Sequence, residues 1–358
     1  MTKLKLNSNI HNYEVLFHKN FNFLRKLTSL EKKVFVIDKK VYSLYGKLFE
    51  QINHNELFLI DAIEEKKTLE TVKKIYKFLA KQDAKRNITL ISIGGGITQD
   101  ITGFVASTVY RGIRWIFIPT TFLSQADSCI GSKTSLNLET YKNILGGFYP
   151  PHEIYIQPDF LNTLSAKDFH SGIGEVIKFA LLKESYPKNF KSILKMIEQL
   201  KNGKNRLETI KNTMKVKKSY IDVDEFDTGK RNLFNYGHCF GHALENASHY
   251  KIPHGIAVTI GMIYADIVAL NRNLITKKTF EFLNKKLFLP NIYIELKLNF
   301  FDENILIDSM KNDKKRVGKD LVIVIPKNDD IRVMKVTDLT FDEFRQAYVQ
   351  LLEVLNLR

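Results

Sequence analysis

Residues 231–255 hold the densest group of chemically active side chains in the sequence. Four of the nine histidines fall within 17 residues there, at His238, His242, His249 and His254. His238 and His242 are four residues apart, so on a helix their imidazoles share one face, about one turn apart. Arg231 and Asn235 would extend that stripe. Such a polar face suits a metal site with substrate contacts beside it, and a solvated helix that carries histidines is the alternative.

A glycine-rich turn is the second candidate site. Residues 88–93 read as a buried strand that runs into Gly94, Gly95 and Gly96, and Asp100 follows. Glycines at such a point let backbone N–H groups approach a phosphate, and a helix beginning near Gln99 would direct its positive end at that charge. The spacing is not Gly-x-Gly-x-x-Gly, so a tight turn without a nucleotide remains open.

Further polar residues follow along the chain. Thr120 and Thr121 close a predicted strand at 112–119 and could hydrogen-bond a ribose or an amide. The loop-like text after them could bind an anion or simply be solvated; its candidates are Asp127, Lys133, Lys142 and Asn143. Glu175 stands among glycines and apolar residues with Lys178 one turn on. If that pair is buried it needs a partner such as a metal, and otherwise it is a surface ion pair.

Two kinds of periodicity indicate how these residues are positioned. Short apolar runs at 33–38, 56–60, 88–93, 112–119 and 154–156 alternate with helical text at 41–53, at 69–82 and after about 99. This alternation predicts a parallel sheet covered by helices. From about residue 166 the period is near 3.6 and predicts helices at 176–182, 190–200, 207–220, 233–248, 256–271, 280–287, 303–311 and 341–355, with one hairpin at 321–336. We therefore predict an α/β domain over 1–164 and a mainly helical domain over 165–358.

Composition narrows the class of protein. The 358 residues are 44% hydrophobic and carry a net charge of +15, but the lysines are spread along the chain. Without a basic stripe interleaved with aromatics, small anionic substrates are favoured over nucleic acid. Cys129 and Cys239 are far apart, which excludes a disulfide scaffold and a cysteine-rich zinc site and fits a reducing cytoplasm. Neither a signal peptide nor a membrane span is expected.

Five stretches follow one another in order between about residues 38 and 315: GGGITQDITGFVASTVYRG, IPTTFLSQADSCIGSKTSLNLETYKN, FLNTLSAKDFHSGIGEVIK, DEFDTGKRNLFNYGHCFGHALE and NDKK. Together they resemble the 3-dehydroquinate synthase family of the sugar phosphate cyclase superfamily. The resemblance implies a Rossmann-like NAD-binding domain followed by a mainly α-helical metal-binding domain. It also implies the family reaction on 3-deoxy-D-arabino-heptulosonate 7-phosphate: transient oxidation by NAD, phosphate elimination, re-reduction and an intramolecular aldol closure to 3-dehydroquinate.

The resemblance assigns roles in the metal and substrate sites. Zinc, with cobalt as an alternative ion, would be held by Glu175, His238 and His254, and His242 would contact substrate and transfer protons. The residues that would line the site of the phosphorylated sugar-acid substrate are Asp127, Lys133, Lys142, Lys178, Asp227, Arg231 and Asn235. Lys314 or Lys315 would add one more cation. Arg111 would reach the phosphate in a neighbouring subunit, which implies a homodimer.

The resemblance also gives a cofactor set. The matching positions are Asp38, Glu64, Lys67, Gly94, Gly95, Gly96, Asp100, Thr120, Thr121, Leu123, Asn143, Phe160 and Thr163. Asp38, Glu64 and Lys67 would hold the adenosine end. An acidic residue there favours NAD over NADP, because it repels a 2′-phosphate.

Departures from the family pattern leave other functions open. Ser132 replaces a glycine before Lys133, and Asp227 stands where a glutamate is usual. They keep open a related cyclase acting on sedoheptulose 7-phosphate or glucose 6-phosphate, whereas Asn235 and His242 favour the synthase. A third possibility, of another class, is a non-catalytic basic protein that binds nucleic acid or a protein partner.

Overall fold

The computed structural model describes residues 2–82, 85–139, 141–183, 189–312 and 320–358. These residues form two compact units, Met1–Leu164 and Ser165–Arg358.

The first unit is built on a seven-stranded sheet. The nine strands of this unit's described residues are β1 Thr2–Leu6, β2 Tyr13–Phe17, β3 Lys33–Asp38, β4 Leu57–Ile60, β5 Thr89–Gly94, β6 Arg114–Pro119, β7 Lys133–Leu138, β8 Tyr141–Phe148 and β9 Glu153–Ile156. The sheet order is β1-β2-β9-β6-β5-β3-β4, antiparallel only between β1 and β2. Because β3 has β4 on one side and β5 on the other, the direction of winding reverses there. Open α/β sheets bind ligands at the carboxyl ends of strands at such a point.

Helices cover this sheet, as the sequence predicts. They are α1 Phe23–Thr28, α2 Lys39–Leu44, α3 Gly46–Phe49, α4 Leu69–Ala80 and α5 Gly96–Thr108. All six residues of β5 are buried, and so are four consecutive residues of β3, Val34 to Ile37. Successive side chains of a strand point to opposite faces, so both faces of the sheet are covered, as in other parallel sheets. The predicted α/β fold class is confirmed.

Two predictions in this unit were wrong. The loop predicted around Lys133 and Lys142 is an antiparallel hairpin of β7 and β8. The helix α5 begins at Gly96 and not near Gln99, because Gly95 is extended, with φ −86° and ψ −164°, and serves as the N-cap. Gly96 therefore belongs to the helix and only Gly94 and Gly95 precede it.

The second unit is mainly helical, as predicted. Its helices among the described residues are α6 Ala166–Leu182, α7 Phe190–Lys201, α8 Arg206–Ile221, α9 His238–Ala247, α10 His254–Asn271, α11 Lys277–Leu283, α12 Glu303–Lys311 and α13 Phe341–Val354. The predicted hairpin pairs β10 Leu321–Pro326 with β11 Val333–Leu339. The 18 residues of α10 are long and apolar enough to cross a membrane, with mean hydropathy 1.4, but 83% of that window is buried inside the structure, as in the core helix of a folded domain.

The continuous helix predicted over 233–248 was wrong. A short 3₁₀ segment, Lys230–Asn235, ends before Gly237, which has φ +79°. This left-handed conformation favours glycine and breaks the helix, so α9 starts at His238. Arg231 and Asn235 consequently lie on a different segment from His238 and His242.

A pair of stacked histidines in the first unit makes its stability depend on pH. The rings of His11 and His152 lie 4.1 Å apart, and the His152 Nδ1 accepts a hydrogen bond from the backbone N–H of Trp115 at 3.4 Å. Burial, together with the charges of His11 and Arg114, lowers the pKa of His152 to about 4, although the contact with the Trp115 backbone opposes this shift. In the unfolded chain a histidine has a pKa near 6.5.

We predict that the free energy of unfolding decreases as the pH falls from about 6.5 towards 4. In this range His152 binds a proton in the unfolded state but stays neutral in the folded state. After allowance for partial exposure, His152 accounts for on the order of 1–2 kcal/mol of this loss. His152→Asn keeps an acceptor near the Nδ1 position and should reduce the loss between pH 7 and pH 5, measured by urea unfolding. The control His54→Asn, at an exposed site, should lose as much as the parent; equal losses in both variants would contradict the assignment.

Candidate active site

Close backbone packing of α6, α9 and α10 shapes the second unit. A Cβ at Gly174 would overlap the carbonyl of Gly255, and a Cβ at Gly255 would overlap the carbonyl of Ser171. Likewise a Cβ at Gly261 would overlap the carbonyl of Gly237. The backbone of α10 therefore touches that of α6 on one side and the start of α9 on the other, which is possible only where side chains are missing.

The three predicted metal ligands are the sequence neighbours of these glycines. Glu175 follows Gly174, His238 follows Gly237, and His254 precedes Gly255. The Glu175 Oε1 lies 3.3 Å from the His238 Nε2 and 3.5 Å from the His254 Nε2. Two atoms that each bind zinc at about 2.0–2.1 Å with tetrahedral geometry lie about 3.3 Å apart. Both distances thus match the spacing of two ligands to one ion.

Glu175 has the electrostatics of a ligand. Its carboxylate is fully buried beside the Lys178 Nζ, 2.5 Å away. Apart from ion pairs, neither oxygen accepts a well-formed hydrogen bond from the described residues. Burial alone would raise the pKa of the Glu175 carboxyl, but the charges of Lys178 and His238 hold it well below its usual value. An ionised buried carboxylate with unused lone pairs is stabilised by a bound cation.

Outer contacts orient both imidazoles. The His254 Nδ1 lies 3.0 Å from the Glu245 Oε2, and the His238 Nδ1 lies 3.4 Å from the Tyr236 carbonyl oxygen. Burial would lower the pKa of His254, but Glu245 and then Glu175 outweigh it and raise the pKa to about 10. A metal that binds the Nε2 must therefore displace a proton.

Sequence reasoning missed Glu245, although its position three residues after His242 was a usable signal. The exposed His242 completes a group with His238 and His254, in which one nitrogen of each ring lies within 4.8 Å of the others. Its ring centroid is 5.3 Å from that of His238 and 5.5 Å from that of His254. His242 is therefore beside the candidate metal centre.

The segment before α9 holds Asp227, Arg231 and Asn235. The carboxylate of Asp224, a residue that sequence reasoning missed, accepts hydrogen bonds from three backbone N–H groups, those of Thr228, Gly229 and Arg231, at 2.9, 2.8 and 2.9 Å. The buried Arg231 guanidinium donates to the Glu225 carbonyl, and the Asn235 amide donates to the Asn232 carbonyl at 2.9 Å. Asp227 has φ +61°, a left-handed conformation that aspartate adopts more readily than most residues.

In the first unit, a polar network around Lys67 contains five predicted site residues: Lys67, Asp100, Asn143, Glu64 and Lys142. The Lys67 Nζ donates to the Asp100 Oδ2 and to the Asn143 Oδ1, both at 2.6 Å. The Ser135 Oγ lies 2.9 Å from each of the same two oxygens, and its hydroxyl can donate to one of them at a time. Burial raises the pKa of the Asp100 carboxyl, although Lys67 opposes that effect.

The network continues to Glu64. The Asn137 amide donates to the Glu64 Oε1 at 2.9 Å, and the Lys142 Nζ lies 3.2 Å from the same atom. Burial would raise the pKa of Glu64, but the hydrogen bond from Asn137 and the charge of Lys67 lower it. Ser135 and Asn137 were missed, and their i, i+2 spacing on β7 was the signal that they share a face.

Other predicted cofactor residues gather at the carboxyl end of the sheet. Asp38 ends β3, Gly94 ends the neighbouring β5, and the N–H of Thr120, after β6, donates to the Gly94 carbonyl at 2.9 Å. A Cβ at Gly95 would lie 2.9 Å from the Thr121 methyl group. The Asp38 carboxylate caps α2 by accepting from the Lys40 N–H. These residues surround the point where the winding reverses.

The remaining predicted residues are more scattered. Phe160 is buried in the core against Tyr45, whose hydroxyl lies 3.0 Å from the Thr163 Oγ1. Leu123 and Asp127 are half-buried, whereas Lys133 and Arg111 are exposed. Lys314 and Lys315 lie outside the described residues.

Comparison with known proteins gives a consistent family. The family model described as 3-dehydroquinate synthase N-terminal matches residues 57–171, and the one described as 3-dehydroquinate synthase C-terminal matches residues 172–316. A 3-dehydroquinate synthase from Clostridium tetani is 39% identical over 305 residues, which is 81% of this chain and 80% of that protein. A 3-dehydroquinate synthase from Lactococcus lactis subsp. cremoris is 34% identical over 360 residues, covering 96% of this chain and 99% of that protein.

A solved structure agrees in fold over the whole chain. It is 2-epi-5-epi-valiolone synthase from Streptomyces hygroscopicus with NAD+ and Zn2+ bound. Its TM-score is 0.84 at 25% sequence identity, covering 99% of both chains.

We predict that Gly255→Ala separates α6 from α10, because the added methyl group must displace the Ser171 backbone. The free energy of unfolding should fall by about 1–3 kcal/mol, as for other overpacked cores. The same shift moves His254 away from Glu175, so zinc binding measured by chelator competition should weaken. Gly46→Ala is the matched control, because its methyl group would meet nothing within 4 Å. Unchanged stability and zinc affinity in Gly255→Ala would refute this account of the helix contact.

Proposed function

The chain belongs to the 3-dehydroquinate synthase family, and we propose that it converts 3-deoxy-D-arabino-heptulosonate 7-phosphate into 3-dehydroquinate and phosphate, a step of the shikimate pathway. It would be an NAD- and zinc-dependent carbon–oxygen lyase acting on phosphates. The main support is that the Glu175 Oε1 lies 3.3 Å from the His238 Nε2 and 3.5 Å from the His254 Nε2. The names of the Clostridium tetani and Lactococcus lactis relatives support the substrate.

Glu175, His238 and His254 would hold the metal. A carboxylate and two imidazoles suit zinc and leave coordination positions open for substrate hydroxyls. Bound zinc would lower the pKa of a substrate hydroxyl, and NAD+ would accept its hydride. The Streptomyces hygroscopicus enzyme, with NAD+ and Zn2+ bound, supports both cofactors, and cobalt is an alternative ion for the same ligands.

His242 would move protons. Its ring is exposed and lies within 5.5 Å of both ligand imidazoles. A histidine at this distance can exchange a proton with a bound hydroxyl without itself binding the metal. Lys178, buried against Glu175, would face the substrate's oxygen atoms as a fixed cation.

The substrate's carboxylate and phosphate would be bound by the remaining cations and amides of the site. Arg231 and Asn235 would serve this role in the second unit and Lys133 and Lys142 in the first, where the Asp127 carboxylate would also line the substrate. Arg111 would reach the phosphate of a neighbouring subunit, which makes the active form a homodimer. It is exposed, and with Tyr110 and Gly112 it forms a run at φ +49°, +63° and +109°. Strained backbone of this kind is often retained at functional sites.

The first unit would bind NAD. Glu64 and Lys67 of the Lys67 network would contact the adenosine end of the cofactor, and Gly94 and Gly95 leave room for a pyrophosphate at the start of α5. Asp38 at the end of β3 would accept from the ribose and favour NAD over NADP. A cytoplasmic location is consistent with two buried cysteines that form no disulfide.

The alternative, a related cyclase acting on sedoheptulose 7-phosphate or glucose 6-phosphate, rests on Ser132 and Asp227. Both have left-handed backbones, at φ +69° and +61°. Ser132 is buried and its hydroxyl has no hydrogen-bond partner among the described residues. A serine in this position therefore has a cost in the fold.

We predict that the purified chain, supplied with zinc and NAD+, releases phosphate from the heptulosonate phosphate and not from sedoheptulose 7-phosphate or glucose 6-phosphate. His254→Asn should lower kcat/KM at least about 100-fold, since it removes a metal ligand worth several kcal/mol. The control His249→Asn changes an exposed histidine with φ +48° to a residue that tolerates this conformation. It should retain activity. Release from one of the other sugars alone would establish the alternative.

A further inference from the structure

His254 makes contacts through both ring nitrogens. Its Nε2 lies 3.5 Å from the Glu175 Oε1 and its Nδ1 lies 3.0 Å from the Glu245 Oε2. Glu245 is on α9, three residues after His242 and seven after His238, so its side chain shares a helix face with both histidines. The Glu245 side chain is 16% exposed, which limits competition from water for this contact.

The contact with Glu245 determines which nitrogen of His254 can bind a metal. A neutral imidazole has one N–H group and one lone pair. An ionised carboxylate can only accept, so the N–H must be on Nδ1 and the lone pair on Nε2. The Nε2 faces Glu175, where the proposed ion would lie.

Building on the metal site proposed above, we propose that Glu245 is a positioning residue of the metal centre. It fixes the tautomer and the ring orientation of His254 and increases the basicity of its Nε2, and through these effects it tightens metal binding. Carboxylates that accept from metal-bound histidines typically contribute 10- to 100-fold to metal affinity or activity.

Glu245 does not itself join the ligand set. The two nitrogens of an imidazole point away from each other, so an oxygen that meets Nδ1 is on the far side of the ring from an ion at Nε2. The other proposed ligand histidine has a weaker outer contact, since among the described residues the His238 Nδ1 meets the Tyr236 carbonyl, an uncharged acceptor, at 3.4 Å. The charged acceptor is therefore specific to His254.

A purely structural role is the competing account, because the same contact joins α9 to the first residue of α10. The two accounts differ in the metal-free protein. A structural tie lowers the thermal stability of the metal-free chain when it is removed, whereas a positioning residue lowers metal affinity with little change in that stability. Glu245→Gln separates them, because glutamine has the same shape and its amide oxygen still accepts from Nδ1–H but carries no charge.

The experiment measures zinc dissociation constants by competition with a chromophoric chelator at one fixed pH. We expect binding about 10-fold weaker in Glu245→Gln and up to about 100-fold weaker in Glu245→Ala. Glu208→Gln is the matched control, because it removes the same charge from an exposed site on α8, and its zinc affinity should equal that of the parent. The metal-free melting temperature of Glu245→Gln should stay near the parent value.

Cobalt binding adds a spectroscopic measurement. With Co2+ in place of zinc, the visible absorption bands should shift in Glu245→Gln and stay unchanged in Glu208→Gln, because only the first variant alters a ligand's basicity.

Zinc affinity in Glu245→Gln equal to or above that of the parent would overturn the role of Glu245 and leave the proposed function intact. A parent chain that binds neither ion, or whose His254→Asn variant binds as tightly as the parent, would instead overturn the metal site itself.

Discussion

The contact of α10 with α6 and with the start of α9, backbone against backbone, is the constraint on which the second unit depends. It exists because Gly174, Gly255, Gly237 and Gly261 lack side chains at the points of closest approach. Each proposed ligand is covalently attached to one of the first three of these residues. The geometry of the ligand atoms is therefore set by helix packing, which is rigid, and not by flexible loops. A site built this way keeps its spacing even when no ion is bound.

Charge compensation is the second condition for this site. Glu175 is fully buried, and a buried carboxylate is stable only with cations or donors close by. Lys178 supplies one charge at 2.5 Å. The first unit repeats the arrangement around a buried cation, since Lys67 lies between Asp100 and Asn143. In both units the acidic and basic side chains form ion pairs with each other. A change of rotamer in either partner would leave an unpaired charge in an apolar environment.

The sequence was sufficient for the elements and insufficient for the breaks between them. Buried strands such as β3 and β5 are continuous apolar runs, and α10 has an unmistakable length and composition, so periodicity finds them. The 3₁₀ segment before Gly237 looks helical in composition, because a single left-handed glycine leaves the period of its neighbours unchanged. The β7–β8 hairpin was hidden for a different reason. β8 is mostly exposed, so it has no alternating apolar pattern.

The same limit applies to the candidate site. His238 and His242 could be paired from sequence because both lie in one turn of α9, whereas Glu175 is more than 60 residues away and only the family resemblance linked it to them. Glu245, Asp224 and Asn137 act on other site residues through hydrogen bonds. Spacing along the chain shows which face Glu245 and Asn137 lie on, but only the distances show which group each of these side chains contacts.

The two departures at Ser132 and Asp227 show how backbone conformation changes the meaning of a substitution. Read as side chains, they suggest an altered pocket. Their φ angles of +69° and +61° lie in the left-handed region, which glycine adopts at the lowest cost and short polar residues at the next lowest. Asp227 meets that demand better than a longer side chain, and Ser132 meets it at the cost of a buried hydroxyl without a partner among the described residues. The change at Asp227 is therefore explained by the chain's own conformation, whereas nothing in the structure explains the change at Ser132.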